Sequence, residues 1–213
     1  MKSPVFKAWI LALVLYACQE PEKQQPAQES PQEKKEEKQE PEAYIPVNDY
    51  IRSEIKAVDS TPTGILEIYS FFPDTHRNGG KKGKGFIKPE QFNKLAQDFL
   101  IPELEKGRFE RSFKESSFMD RSTESVVFNY ESTDSTNSVR RVDVLIATSL
   151  SLDKIKSIYI EKAYLSGDTT VQQKMSWKTG ESFTIITFKS VGGKGPDRHE
   201  TKVVWDPFHY EDQ

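Results

Sequence analysis

The sequence predicts an α+β fold for residues 44–213, a curved antiparallel β-sheet with about two helices packed on one face. Three observations lead there. Two segments, around Ile51 and around Leu95, carry apolar residues at helical spacing. From Ser112 onward the apolar period changes to two across several successive segments. The connections between those segments are short, whereas a parallel return needs a crossover of about a dozen residues or more, so antiparallel pairing is expected.

Taken in order, Asn48 or Asp49 is expected to cap a short helix that carries Tyr50, Ile51, Ile55 and Val58 on one face. Asp59-Ser60-Thr61-Pro62-Thr63-Gly64 breaks it. Ile65 to Phe72, rich in Ile and aromatics, reads as a strand. A polar loop from Pro73 to Lys84 leads to a short strand at Gly85-Phe86-Ile87. Pro89 suits a first helical position, and Phe92, Leu95, Ala96, Phe99 and Leu100 follow on one face. Val126, Phe128 and Tyr130 share a face of one strand, Val142, Val144 and Ile146 a face of the next, and Ile158 and Ile160 mark a strand over Ile155–Tyr164. Met175-Ser176-Trp177 and Phe183–Phe188 flank Lys178-Thr179-Gly180-Glu181, a hairpin signal. Lys202 to Trp205 is the expected last strand.

The N-terminus carries an address. Lys2 and Lys7 precede an unbroken apolar run, Ala8 to Tyr16. At about 1.5 Å per residue that run reaches roughly 14 Å, far short of the ~30 Å hydrocarbon core, so it suits a secretory signal better than a spanning helix. It ends at Leu15-Tyr16-Ala17-Cys18, where Cys18 is the only cysteine. That run resembles the bacterial lipobox, with Leu15 at −3 and Ala17 at −1; Tyr16 is bulkier than the usual −2 residue. The resemblance implies removal of residues 1–17, a diacylglyceryl thioether on Cys18 and acylation of the new amino terminus. Two or more chains anchor a protein stably where one does not. With no second cysteine there is no internal disulfide, and lipidation removes Cys18 from catalysis.

Residues 18–43 then read as the lipidated cysteine and a disordered tether. Residues 19–43 contain only Glu, Gln, Lys, Pro, Ala and Ser, too little apolar surface to repay ordering. Eight Glu against four Lys give this stretch a net charge of −4. Gln19 does not match the aspartate that retains enterobacterial lipoproteins in the inner membrane, while Glu20 and Glu22 resemble the acidic export signal of surface lipoproteins in Bacteroidota. Both point to the outer membrane, on its surface or its periplasmic face.

The chain carries −3 overall, of which the signal contributes +2 and the tether −4, leaving −1 for residues 44–213. A nearly neutral domain speaks against nucleic acid as a partner. Its length suits a single domain. The segments DSTPTGI, FIKPEQFNKLAQDFL, RRVDVL and IKSIYIEK resemble uncharacterised lipoproteins of Bacteroidota. The resemblance implies a lineage and no activity.

Candidate chemistry is sparse. Asn78-Gly79-Gly80-Lys81-Lys82-Gly83-Lys84-Gly85 suggests an anion cradle, but it lacks the GxxxxGK[ST] spacing and sits between two strands, as a hairpin loop would. Gly192-Gly193-Lys194-Gly195-Pro196 has the same composition. If both loops lie on one edge of the sheet, a polyanionic glycan or a lipid headgroup becomes the ligand class to consider. His76, His199 and His209 form no HExxH pair; Asp197, His199 and His209 make one conceivable metal set, yet each is expected in a loop or the tail. No GxSxG elbow occurs. No cofactor, metal ligand or catalytic residue is therefore assigned, and Cys18 is the one assigned site. Trp177 and Trp205 suit core packing more than a sugar platform. Asp59-Ser60-Thr61, Asp134-Ser135-Thr136 and Asp168-Thr169-Thr170 resemble the Asp-Ser/Thr-X O-glycosylation sequence of Bacteroidota, with acceptors Ser60, Ser135 and Thr169 expected in turns.

The reading favoured by this layout is a membrane-anchored envelope lipoprotein with a non-enzymatic binding or accessory domain, its partner an envelope protein or glycan. The alternatives are an envelope hydrolase using a carboxylate pair, which sequence does not display, and an inhibitor or assembly factor, the latter by fold analogy alone.

Overall fold

The structure, a computed structural model, describes residues 45–61, 63–73, 80–148, 155–192 and 194–209. Helix α1 (Val47–Asp59) opens it, followed by strands β1 (Ile65–Phe72) and β2 (Lys81–Ile87). Helix α2 (Pro89–Ala96) runs into a 3-10 turn at Gln97–Phe99, and a single helical turn, α3 (Phe109–Ser112), precedes the remaining strands. These are β3 (Phe113–Asp120), β4 (Ser125–Ser132), β5 (Val139–Ala147), β6 (Ile155–Ser166), β7 (Thr169–Lys178), β8 (Ser182–Val191) and β9 (Asp197–Val204). They form one open antiparallel sheet in the order β2-β1-β9-β8-β7-β6-β5-β4-β3. The fold is thus α+β at its strand-rich end, with 54% strand against 21% helix.

Strands β3 to β9 are a plain meander, each paired with the next. The β1–β2 hairpin comes first in the chain yet docks beside the last strand, through pairs from Leu66–Val204 to Phe72–Arg198. This long-range joint brings the ends of β1 and β2 at Phe72 and Lys81 to the same end of the sheet as the β8–β9 connection.

Alternation builds the core on one face. Tyr130, Val142, Ile160, Met175 and Ile185 form one register row; Phe128, Val144, Ile158, Trp177, Phe183 and Val203 form the next. The helices lay their apolar stripes on these rows, with Ile51, Val58, Phe92 and Phe99 in the same buried cluster. Phe99 meets Trp177 edge-on at 5.1 Å, and Phe92 meets Trp205 edge-on at 5.5 Å. Both indoles are therefore core, not a sugar platform. The indole N–H of Trp177 has no hydrogen-bond partner among the described residues.

Several expectations are corrected. Asn48 does not cap α1, which starts after Pro46 without a side-chain cap. Its buried amide instead clamps the backbone of Ile101, donating to the carbonyl (2.7 Å) and accepting from the N–H (3.0 Å). Asn48 also donates to Glu105, whose carboxylate Arg52 holds as well; those two donors keep the Glu105 carboxyl below its ordinary range, Arg52 contributing most. Helix α2 ends at Ala96, so Phe99 reaches the core from the 3-10 turn. Strand β2 begins at Lys81, inside the expected loop, and β9 begins at Asp197 rather than Lys202. Near the end of α2, Lys162 donates to the Asp98 carbonyl at 2.6 Å, and burial lowers the pKa of its ammonium.

Candidate ligand-binding face

The sheet face turned away from the helices is built by the alternate residues of each strand. One of its register rows reads Lys114, Glu131, Arg141, Glu161, Lys174, Ile186, Glu200, Ser70 and Lys82 across the nine strands. The next reads Ser116, Asn129, Asp143, Tyr159, Ser176, Thr184, Lys202, Ile68 and Lys84. The two halves of this open face differ in charge.

On β3 to β6 the charges answer one another. Asp143, 8% exposed, accepts from Asn129 at 2.6 Å and from the guanidinium of Arg141 at 2.9 Å and 2.8 Å. That carboxylate raises the pKa of Arg141, and burial raises that of the neighbouring Tyr159 phenol. A buried carboxylate with partners on both sides is the expected way to hold charge in a sheet.

On β7, β8, β9, β1 and β2 cations predominate. Lys174, Arg198, Lys202, Lys82 and Lys84 lie in these central rows and the row beyond them; Lys174 stands opposite Glu161 of β6, and Arg198 is ion-paired to Glu200, the carboxylate that these rows carry on the five strands among the described residues. Phe72, Arg198 and Phe188 stand side by side in register. The Phe72 ring lies between two cations, Lys82 at 5.5 Å and Arg198 at 5.9 Å from its centroid. The ring quadrupole favours both, so the cations are held over an apolar surface while their outer sides stay wet.

The two glycine-rich segments flank this half. Because β1 pairs with β9, the end of the β1–β2 hairpin and the β8–β9 loop lie at the same end of adjacent strand pairs. The described parts of the two segments, Gly80 to Gly85 and Gly192 with Lys194 to Pro196, thus share one end of the sheet. The glycines themselves do other work: a Cβ at Gly80 would come 2.5 Å from the Phe72 ring, so this glycine lets the ring lie against backbone. Gly192 supplies a positive φ of 58° where the chain leaves β8. Pro196 then lies over the open face, where Thr170, Gln172, Lys174, Phe188 and Ser190 complete a cleft of about 290 Å³. An aromatic ring, an amide, two hydroxyls and an ammonium are the groups that bind a sugar carrying a carboxylate or phosphate.

The other sequence candidates scatter. Cys18, the tether and His76 lie outside the described residues. His199 sits in β9, not a loop, packed at 4.4 Å on the Phe71 ring on the helix side of the sheet. Partial burial lowers its pKa, as does Lys189. Asp197 also starts β9, and no cluster of three metal-ligating side chains occurs among the described residues. The carboxylates Glu54 and Asp206 line one cleft of about 250 Å³ beside α1, but Glu54 accepts from the Gly180 amide (2.8 Å) and Asp206 from the Phe208 amide (3.0 Å), as local backbone latches. Ser60 and Ser135 are exposed beside turns, whereas Thr169 is the first residue of β7. No helix among the described residues is long and apolar enough to cross a membrane.

Sequence reasoning missed Phe72, Lys174, Phe188 and Arg198 as a group. Nothing local marks them, since sheet order alone makes them neighbours. No protein-family model, curated protein or solved structure matches this chain.

Proposed function

We propose that the chain is a lipoprotein of the bacterial cell envelope, anchored at the outer membrane through Cys18, whose domain binds an acidic glycan and is not an enzyme. The observation that carries the ligand class is the cation-rich half of the open face, with Phe72 and Phe188 flanking Arg198 beside a sugar-sized cleft. The lipobox-like run and the tether support the anchor. A domain near −1 overall gains such a face only by segregating charge.

Two experiments test the two parts. Cys18→Ala releases the protein from membranes, and persistent membrane attachment of that variant contradicts the anchor. For the ligand, the full chain is retarded in gels containing polygalacturonate, an acidic polymer, and not in gels containing neutral dextran. Retardation weakens as salt rises, because exposed charges are screened within about 10 Å at 0.1 M. Equal retardation by both polymers overturns the acidic reading.

A further inference from the structure

The two edges of the sheet are built differently. Edge strand β2 carries Lys81, Lys82 and Lys84 with two glycines, Gly83 and Gly85, the kind of composition that discourages strand addition. Edge strand β3, at the other end, has no proline, no glycine and no bulge in its register with β4. It leaves Phe118 54% and Met119 55% exposed, on opposite faces. No strand among the described residues pairs with its outer side.

The hydrogen-bond phase fixes what that side presents. The Thr133 amide donates to the Ser112 carbonyl at 2.9 Å, which makes the pair just before β3 a bonded one. Bonding alternates along an antiparallel ladder, so Lys114, Ser116, Phe118 and Asp120 turn their backbone groups to β4, while Ser117 and Met119 turn theirs outward. Eight residues of correctly phased backbone suffice for an added strand.

We propose that this edge takes a second copy of the chain, with the two β3 strands antiparallel about a two-fold axis through Ser117. That register is self-complementary. Lys114 stands opposite the partner's Asp120 and Asp120 opposite the partner's Lys114, both on the open face. The two Phe118 rings become diagonal neighbours across the axis, about 7–8 Å apart and within aromatic reach. Outward-phased Ser117 meets the partner's Ser117 in a bonded pair. The contact is isologous and closes at two copies. It also carries both cationic half-faces onto one side of a continuous sheet, a bivalent arrangement for a repeating polymer.

The test is disulfide trapping in the full chain, in whichever cell fraction holds it, so its outcome is independent of the anchor experiment. Bonded antiparallel partners have Cα atoms about 5.5 Å apart, within disulfide reach. Ser117→Cys gives a linked dimer on mild oxidation. The parent chain, with Cys18 alone, does not. Nor does Lys114→Cys, because its two copies stand six positions apart, about 20 Å. Adding Phe118→Lys to Ser117→Cys abolishes the dimer. Failure of Ser117→Cys to link, equal linking by Lys114→Cys, or capture of a different protein overturns the proposal.

Discussion

The two halves of the open face handle charge in opposite ways. On β3 to β6, Asp143 sits among Asn129 and Arg141, and Lys114, Glu131, Arg141 and Glu161 alternate in sign across neighbouring strands. On β7 to β2 cations predominate: Lys174 stands opposite Glu161, Arg198 pairs with Glu200, and Lys202, Lys82 and Lys84 add further positive charge. The first arrangement satisfies itself and contributes to stability; cross-strand opposite-charge pairs are each worth about 0.2–1 kcal/mol. The second keeps a positive excess. A stable sheet has no need of such an excess, which is why function is placed there.

Substitutions separate these roles, and the covered face sets the scale. Trp177→Ala removes the side chain against which Phe99 and Phe183 pack, and is expected to lower unfolding free energy by about 3–5 kcal/mol in urea titrations. Asn48→Ala leaves the buried amide and carbonyl of Ile101 without that clamp, at about 2 kcal/mol in the same assay. Asp143→Ala strips partners from Arg141 and Asn129 in the compensated half; it costs about 1–2 kcal/mol and leaves polymer retardation unchanged. Lys174→Gln in the cation-rich half reverses the pattern, with stability within about 1 kcal/mol of the parent, since it gives up only the charge opposite Glu161, and weaker polygalacturonate retardation. If Asp143→Ala weakens binding as much as Lys174→Gln does, the division of the face is wrong.

The smallest effect concerns pH. Partial burial and then Lys189 hold the folded pKa of His199 below its ordinary 6.5. As pH falls through 6.5 the unfolded chain binds the proton first, so stability contributed here declines from that point down to the folded pKa and is flat above it. Lys189→Ala moves the His199 titration upward in NMR. A downward movement contradicts the assigned cause.

The sequence disclosed what depends on neighbours in the chain. Period-two spacing marked Val142, Val144, Ile146, Ile158 and Ile160 as one face, and helical spacing marked Ile51 and Phe92 as core. It misled where a distant partner decides. Asn48 has the chemistry of a cap, yet its partner Ile101 is 53 residues away. Lysine and glycine at 81–85 argue against a strand, but pairing with β1 imposes one. The glycine-rich segments were visible as composition; their adjacency rests on the β1–β9 pairing, which joins the two ends of the domain. The Phe72–Arg198–Phe188 row has no local signal for the same reason.

In the proposed binding of an acidic glycan, position and not net charge makes this face the site. Arg198→Glu and Arg121→Glu change the charge of the chain equally, the first in the cationic half and the second in the exposed β3–β4 turn at the opposite side of the sheet. The direct measurement is the polygalacturonate affinity of both variants of the full chain at one salt concentration. Loss of affinity in Arg198→Glu with near-parent affinity in Arg121→Glu is the predicted result. Equal loss in the two would contradict it.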